Sequence, residues 1–140
     1  MSIFGLPDVD NGVAPVAFGP MSKPIGPYTP LVRAGDFLIV SGQIGLGPEG
    51  LVAGGMAAEL RQAMSNLRAL VESAGSSLSD VVKTTVFLID MGDYAEMNEI
   101  YCVEFDDHRP ARSAVAVAAL PLGASVEVEA WLHVPLSGRI

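Results

Sequence analysis

The chain is short of cations, cysteine, histidine and long apolar runs. Its 140 residues carry 8 Lys and Arg against 16 Asp and Glu, a formal net charge of −8, with an isoelectric point near 4.5. Such a field repels phosphate backbones unless the few cations cluster tightly, so no nucleic-acid partner is expected. A single cysteine, Cys102, excludes an internal disulfide and a cysteine-rich zinc site, and suits a reducing cytoplasm. The only histidines, His108 and His133, stand in no metal-binding spacing, so no metal site is expected. The longest weakly polar stretch, Ser113 to Val126, is broken by Pro121 and is too short for a bilayer. The first 22 residues contain Asp8 and Asp10 but no Lys or Arg, and Pro7, Pro15 and Pro20 interrupt their apolar runs. Neither a signal peptide nor a transit peptide fits, and a soluble cytoplasmic protein with no membrane partner is expected.

What is present is enough for one core. Half of the residues are apolar and the mean hydropathy is +0.41 over 14.6 kDa, which suits a single folded domain and leaves no room for a second. Six of the 10 prolines fall within residues 1–30, so residues 1–22 read as an extended N-terminal segment before a single domain at 23–140. Phe37 to Ile44 and Val81 to Ile89 are β-branched and aromatic and read as strands, with a short strand near Leu31 to Ala34. Between them Met56, Leu60, Met64, Leu67, Leu70, Val71 and Ala74 recur every three or four positions, predicting a helix capped by Gly75. Asp93 is the expected N-cap of a second helix with Tyr94, Met97, Tyr101 and Phe105 on one stripe. Strands at Ala111 to Leu120 and Ser125 to Val134, separated by the turn from Pro121 to Ala124, complete the order β-β-α-β-α-β-β.

Two helices blanket one face of such a sheet. In the strand from Val81 both alternating sets are largely apolar, and Val115 and Val117 oppose Ala114, Ala116 and Ala118. A lone protomer would expose an apolar face, so a homo-oligomer that buries it is expected.

Most candidate motifs have an ordinary explanation. Gly45-Leu-Gly-Pro-Glu-Gly50 has the spacing of a dinucleotide fingerprint, yet Pro48 and five further residues precede the helix, so it reads as a loop. Asp106-Asp107 reads as solvated turn carboxylates, Cys102 as buried filler, and Ser41 lacks the elbow of a serine hydrolase. Two features stand out. Arg112 is a cation before a run of small apolar residues, where a guanidinium seeks a planar carboxylate or a structural ion pair. In Val126 to Val134, period-two alternation puts Glu127, Glu129, Trp131 and His133 on the helix-free side, where partly buried carboxylates need partners or take up protons.

Ile25-Gly-Pro-Tyr28, Ser41-Gly-Gln-Ile44, the helical segment 62–75, Val82-Lys-Thr-Thr-Val-Phe87, Asn98 with Tyr101, Pro110-Ala-Arg-Ser113, Leu120-Pro121 and Val126-Glu-Val-Glu-Ala130 follow one another in order. Together they resemble the RidA/YjgF family of reactive intermediate deaminases over roughly residues 23–134. The resemblance implies a chorismate-mutase-like α+β fold, a homotrimer with clefts between subunits, and cofactor-free hydrolysis of 2-imino acids to 2-oxo acids and ammonia. It makes Arg112 the carboxylate-gripping residue and Glu127 the residue that positions water. Tyr28, Ser41, Gly42, Asn98 and Ala114 match substrate-binding positions. Ala114 stands where many members carry cysteine, and Trp131 where smaller aliphatics are usual. The alternatives are a related deaminase of another substrate, a non-catalytic trimer that binds small carboxylates, and an endoribonuclease, which the charge disfavours.

Overall fold

The structure is a computed structural model that describes residues 12–16 and 26–136. Strands β1 (Val13–Pro15), β2 (Leu31–Ala34), β3 (Phe37–Gln43), β6 (Val81–Leu88), β7 (Ala111–Ala116) and β8 (Val126–His133) form one sheet, with helices α1 (Gly55–Ser73) and α2 (Tyr94–Phe105) packed on one side. The strand order is β1-β2-β3-β8-β6-β7. All neighbours are antiparallel except β6 and β7, which α2 joins as a parallel pair. The expected β-β-α-β-α-β-β order holds, with β1 added at one edge. Pro15 is tolerated there because an edge strand need not donate on both sides. Gly45 to Gly50 contributes a two-stranded ribbon, β4 (Leu46–Gly47) with β5 (Gly50–Leu51), and no helix opens on it.

The core lies between helices and sheet. Leu38 and Val40 of β3, Val86 and Leu88 of β6, and Val126, Val128, Ala130 and Leu132 of β8 point to the helix side and are buried. They meet Leu60, Met64, Leu67 and Val71 of α1 and Met97 and Tyr101 of α2. Helix α1 ends as expected. Gly75 takes φ +77, its N–H bonds to Glu72 O at 3.0 Å and that of Ser76 bonds to Val71 O at 3.0 Å. The two bonds close the last turn through a residue with no Cβ to clash.

Three expectations need correction. Asp93 stands at the N-cap position of α2, but its side chain does not cap the helix. It has helical dihedrals and no side-chain cap bond, whereas Asp90 accepts from Gly92 N–H at 2.8 Å and starts the single turn Met91–Asp93 that leads into the helix. The first Asp after the strand takes the turn because an Asx carboxylate reaches the N–H two residues on. Strand β7 ends at Ala116, four residues early, because its only neighbour β6 ends at Leu88 and leaves nothing further to pair with. Cys102 is exposed, since the inward positions of α2 are taken by Met97, Ile100, Tyr101 and Phe105.

Candidate functional site

Strand register fixes where the candidate side chains point. Thr84 lies opposite Arg112 and Val86 opposite Ala114, while Phe87 lies opposite Glu127 and Thr85 opposite Glu129. Thr84 and Val86 are buried against the helices. Arg112 and Ala114 therefore belong to the helix side of the sheet, and Glu127 and Glu129 to the open side. Within one protomer the two principal candidates are on opposite faces.

On the helix side, α2 builds a cradle for Arg112. The guanidinium carbon is 4.8 Å from the Tyr101 ring centroid and 5.6 Å from that of Tyr94. Nη2 donates to Tyr94 Oη at 3.1 Å and Nη1 faces Met97 Sδ at 3.7 Å. Two rings hold the cation by their faces but do not neutralise it. Among the described residues no carboxylate pairs with it, the one ion pair there being Arg68 with Glu104. Tyr101 is anchored in turn, its hydroxyl sharing a 2.7 Å bond with Thr84. Burial drives the Tyr101 phenol pKa upward against the opposing pull of that bond and of Arg112, which keeps the ring neutral beside the cation. Asn98, one residue beyond Met97, has a buried Oδ1 without a hydrogen-bond partner among the described residues. Ala114 packs against the core beside Arg112. Among the described residues strand β7 pairs on one side only, so its outer edge presents backbone donors.

On the open side, β3 brings Ser41 and Gly42 toward β8. The β3–β8 register slips between Val40 and Gln43, and there Gly42 lies against Glu127: an added Cβ would be 2.6 Å from both Cδ and Oε2 of the carboxylate. Only glycine leaves that carboxylate where it is. Ser41 Oγ donates to Thr29 O at 2.7 Å and Ser41 N–H to Pro30 O at 2.9 Å, tying down the segment that carries half-buried Tyr28. Burial, and then the like charge of Glu129, raise the Glu127 pKa above the ordinary glutamate range. Lys83 is on the same face, donating to Ser113 Oγ at 2.9 Å.

The candidates thus fall into two groups: Arg112, Ala114 and Asn98 around α2 and β7, and Tyr28, Ser41, Gly42 and Glu127 around β3 and β8. The Endoribonuclease L-PSP family model matches residues 20–134. The chain belongs to this family, that of RidA and YjgF. It is 46% identical over 110 residues to the 2-iminobutanoate/2-iminopropanoate deaminase of Escherichia coli, covering 76% of this chain and 86% of that protein. A RutC family protein of Pyrococcus horikoshii is also 46% identical over 110 residues, covering 77% of this chain and 87% of the relative. The crystal structure of the YjgF gene product of E. coli superposes with a TM-score of 0.72 at 41% identity, covering 86% of this chain and 92% of that one. The mixed α+β fold, two helices over one sheet, is the fold of those RidA/YjgF structures.

Sequence reasoning passed over the residues that hold Arg112. Tyr94, Met97 and Tyr101 read as a core stripe, and no sequence signal separates Tyr94 from it; the structure does, leaving Tyr94 40% exposed at the end of the stripe. Glu59 was also passed over; it is buried on α1 and its Oε1 accepts from Ser125 N–H at 2.7 Å, fixing the start of β8 two residues before Glu127. Among the described residues no cluster of His, Cys, Asp and Glu has the form of a metal site. His108 is engaged with Val81 O, and His133 stacks edge-on with Phe37. No described helix is long and apolar enough to cross a membrane.

Proposed function

We propose that this protein hydrolyses 2-imino acids to 2-oxo acids and ammonia at clefts between the subunits of a cytoplasmic homotrimer. Relatives at about this identity named as 2-iminobutanoate/2-iminopropanoate deaminases support the activity class. The observation that carries the reading is Arg112, a guanidinium held between two tyrosine rings with no carboxylate partner among the described residues. Because Glu127 stands on the opposite face, a cleft that uses both takes Arg112 from one protomer and Glu127 from another. The open face is compatible with such an assembly: Phe37, Val115 and Trp131 are 37%, 42% and 44% exposed there, apolar surface that a neighbouring protomer would cover.

The chemistry needs no cofactor. Arg112 holds the substrate carboxylate bidentately, the edge backbone of β7 near Ala114 and the Asn98 amide line the same corner, and Tyr28, Ser41 and Gly42 form the facing wall. Glu127 takes a proton from water as the water oxygen bonds to the imine carbon, and returns it to nitrogen to give a carbinolamine. It then takes the carbinolamine hydroxyl proton and passes it to nitrogen as the C–N bond breaks, so that ammonia leaves and the 2-oxo acid remains, with no change of oxidation state. Imines hydrolyse unaided, so a ten- to thousandfold acceleration asks for only about 1.4–4 kcal/mol, within the reach of positioning and one proton relay. The family model's description names an endoribonuclease, but a net charge of −8 works against a phosphate backbone.

The test couples an amino-acid dehydratase to this protein and follows imine decay. Wild type should speed decay and Arg112→Ala should return it to the uncatalysed rate with the fold intact by circular dichroism. Full activity in Arg112→Ala refutes the reading.

A further inference from the structure

The three α2 side chains around Arg112 are not in the same condition. Tyr101 is buried, and its hydroxyl is committed to Thr84 at 2.7 Å. Met97 is fully buried and offers only a weak sulfur acceptor. Tyr94 is 40% exposed, and its hydroxyl oxygen accepts one of the two Nη2 protons of Arg112 at 3.1 Å. A phenol also carries a proton of its own, and no described residue takes it. An acceptor bonded to a cation becomes a stronger donor, because the two bonds polarise one another.

A guanidinium can take a carboxylate bidentately along its Nη1/Nη2 edge or its Nε/Nη2 edge, and both include Nη2. Each edge uses one of the two Nη2 protons, so every such docking brings a carboxylate oxygen to the nitrogen on which Tyr94 sits. We propose that Tyr94 is a carboxylate-binding residue of this site: the phenol, held beside Nη2, turns its own O–H to the docked carboxylate and yields its Nη2 proton when the anion takes the same edge. Tyr94 thereby holds Arg112 in place without neutralising it and adds a second donor to the bound acid. This inference rests on the deaminase reading above and adds a residue that sets affinity for the acid group common to all its substrates.

Tyr94→Phe keeps the ring over Arg112 and removes only the hydroxyl. Calorimetry with 2-oxopropanoate and 2-oxobutanoate should show Kd rising about tenfold for both acids, the scale of one hydrogen bond to a charged group. KM for the corresponding imines should rise in step while kcat stays within about twofold, because the contact is made equally in ground and transition states. An unchanged Kd overturns the proposal, as does a loss that grows with the substrate side chain, which would make Tyr94 part of the side-chain pocket. Wild type that speeds imine loss while Tyr94→Phe matches it in every constant sinks this inference alone. Wild type that neither binds these acids nor speeds imine loss sinks the deaminase reading and this inference with it.

Discussion

Gly42 and Glu127 show how little room one residue can leave another. The family resemblance puts Gly42 in the wall of the proposed binding site, and the structure gives it a steric role, because a methyl there would meet Glu127 Cδ and Oε2 at 2.6 Å. A carboxylate displaced by about an ångström costs a proton relay much of its rate. Gly42→Ala should therefore lower kcat about 10- to 100-fold with little change in the Kd of 2-oxo acids, which depends on Arg112. Wild-type kcat in that variant would mean that the position of Glu127 is not critical. The contact was not legible in the sequence, since the β3 register slip that brings Gly42 over β8 depends on pairing between strands about 90 residues apart. Arg112 was legible as a cation among small apolar residues, but its cradle was not, because Tyr94 and Tyr101 carry the same helical period as core residues.

Strand β8 carries the pH dependence. Its alternation was fully readable: Val126, Val128, Ala130 and Leu132 are buried, and Glu127 and Glu129 share the other side. Burial and Glu129 together raise the Glu127 pKa, so the folded chain holds that proton more tightly than the unfolded chain does. The stability contributed by Glu127 is then present below the unfolded-state pKa and lost as pH rises through the folded-state value. In the proposed mechanism the sign for activity is opposite, since water activation there uses the carboxylate: kcat should rise through an acid limb above the range of an ordinary glutamate. Glu129→Gln removes the like charge and leaves the burial, so the limb should move to lower pH without reaching that of a free glutamate. A limb that stays in place contradicts the coupling. At the next element the sequence misled: β7 was expected to reach Leu120, but strand length is set by the partner strand, and β6 stops at Leu88.

At the scale of the whole molecule the sheet has a covered face and an open one. The two helices and the apolar period of β3, β6 and β8 announced both faces in the sequence, but not which strand would lie beside which: β8, the last of the described strands, inserts between β3 and β6. Burying the exposed half of Trp131 or Phe37 is worth about 1 kcal/mol each, and the gain repeats at every copy of the interface. Trp131→Glu should shift the sedimentation of the protein from trimer toward monomer. A wild type that sediments as a monomer at micromolar concentration would remove the shared cleft. The most direct measurement mixes two damaged proteins. Arg112→Ala and Glu127→Gln, each impaired alone, are refolded together in equal amounts and assayed for imine hydrolysis. If each cleft takes Arg112 from one protomer and Glu127 from its neighbour, random assortment makes about a quarter of the clefts whole, and activity should return to about that share of wild type. Activity no higher than the average of the two variants would contradict the account.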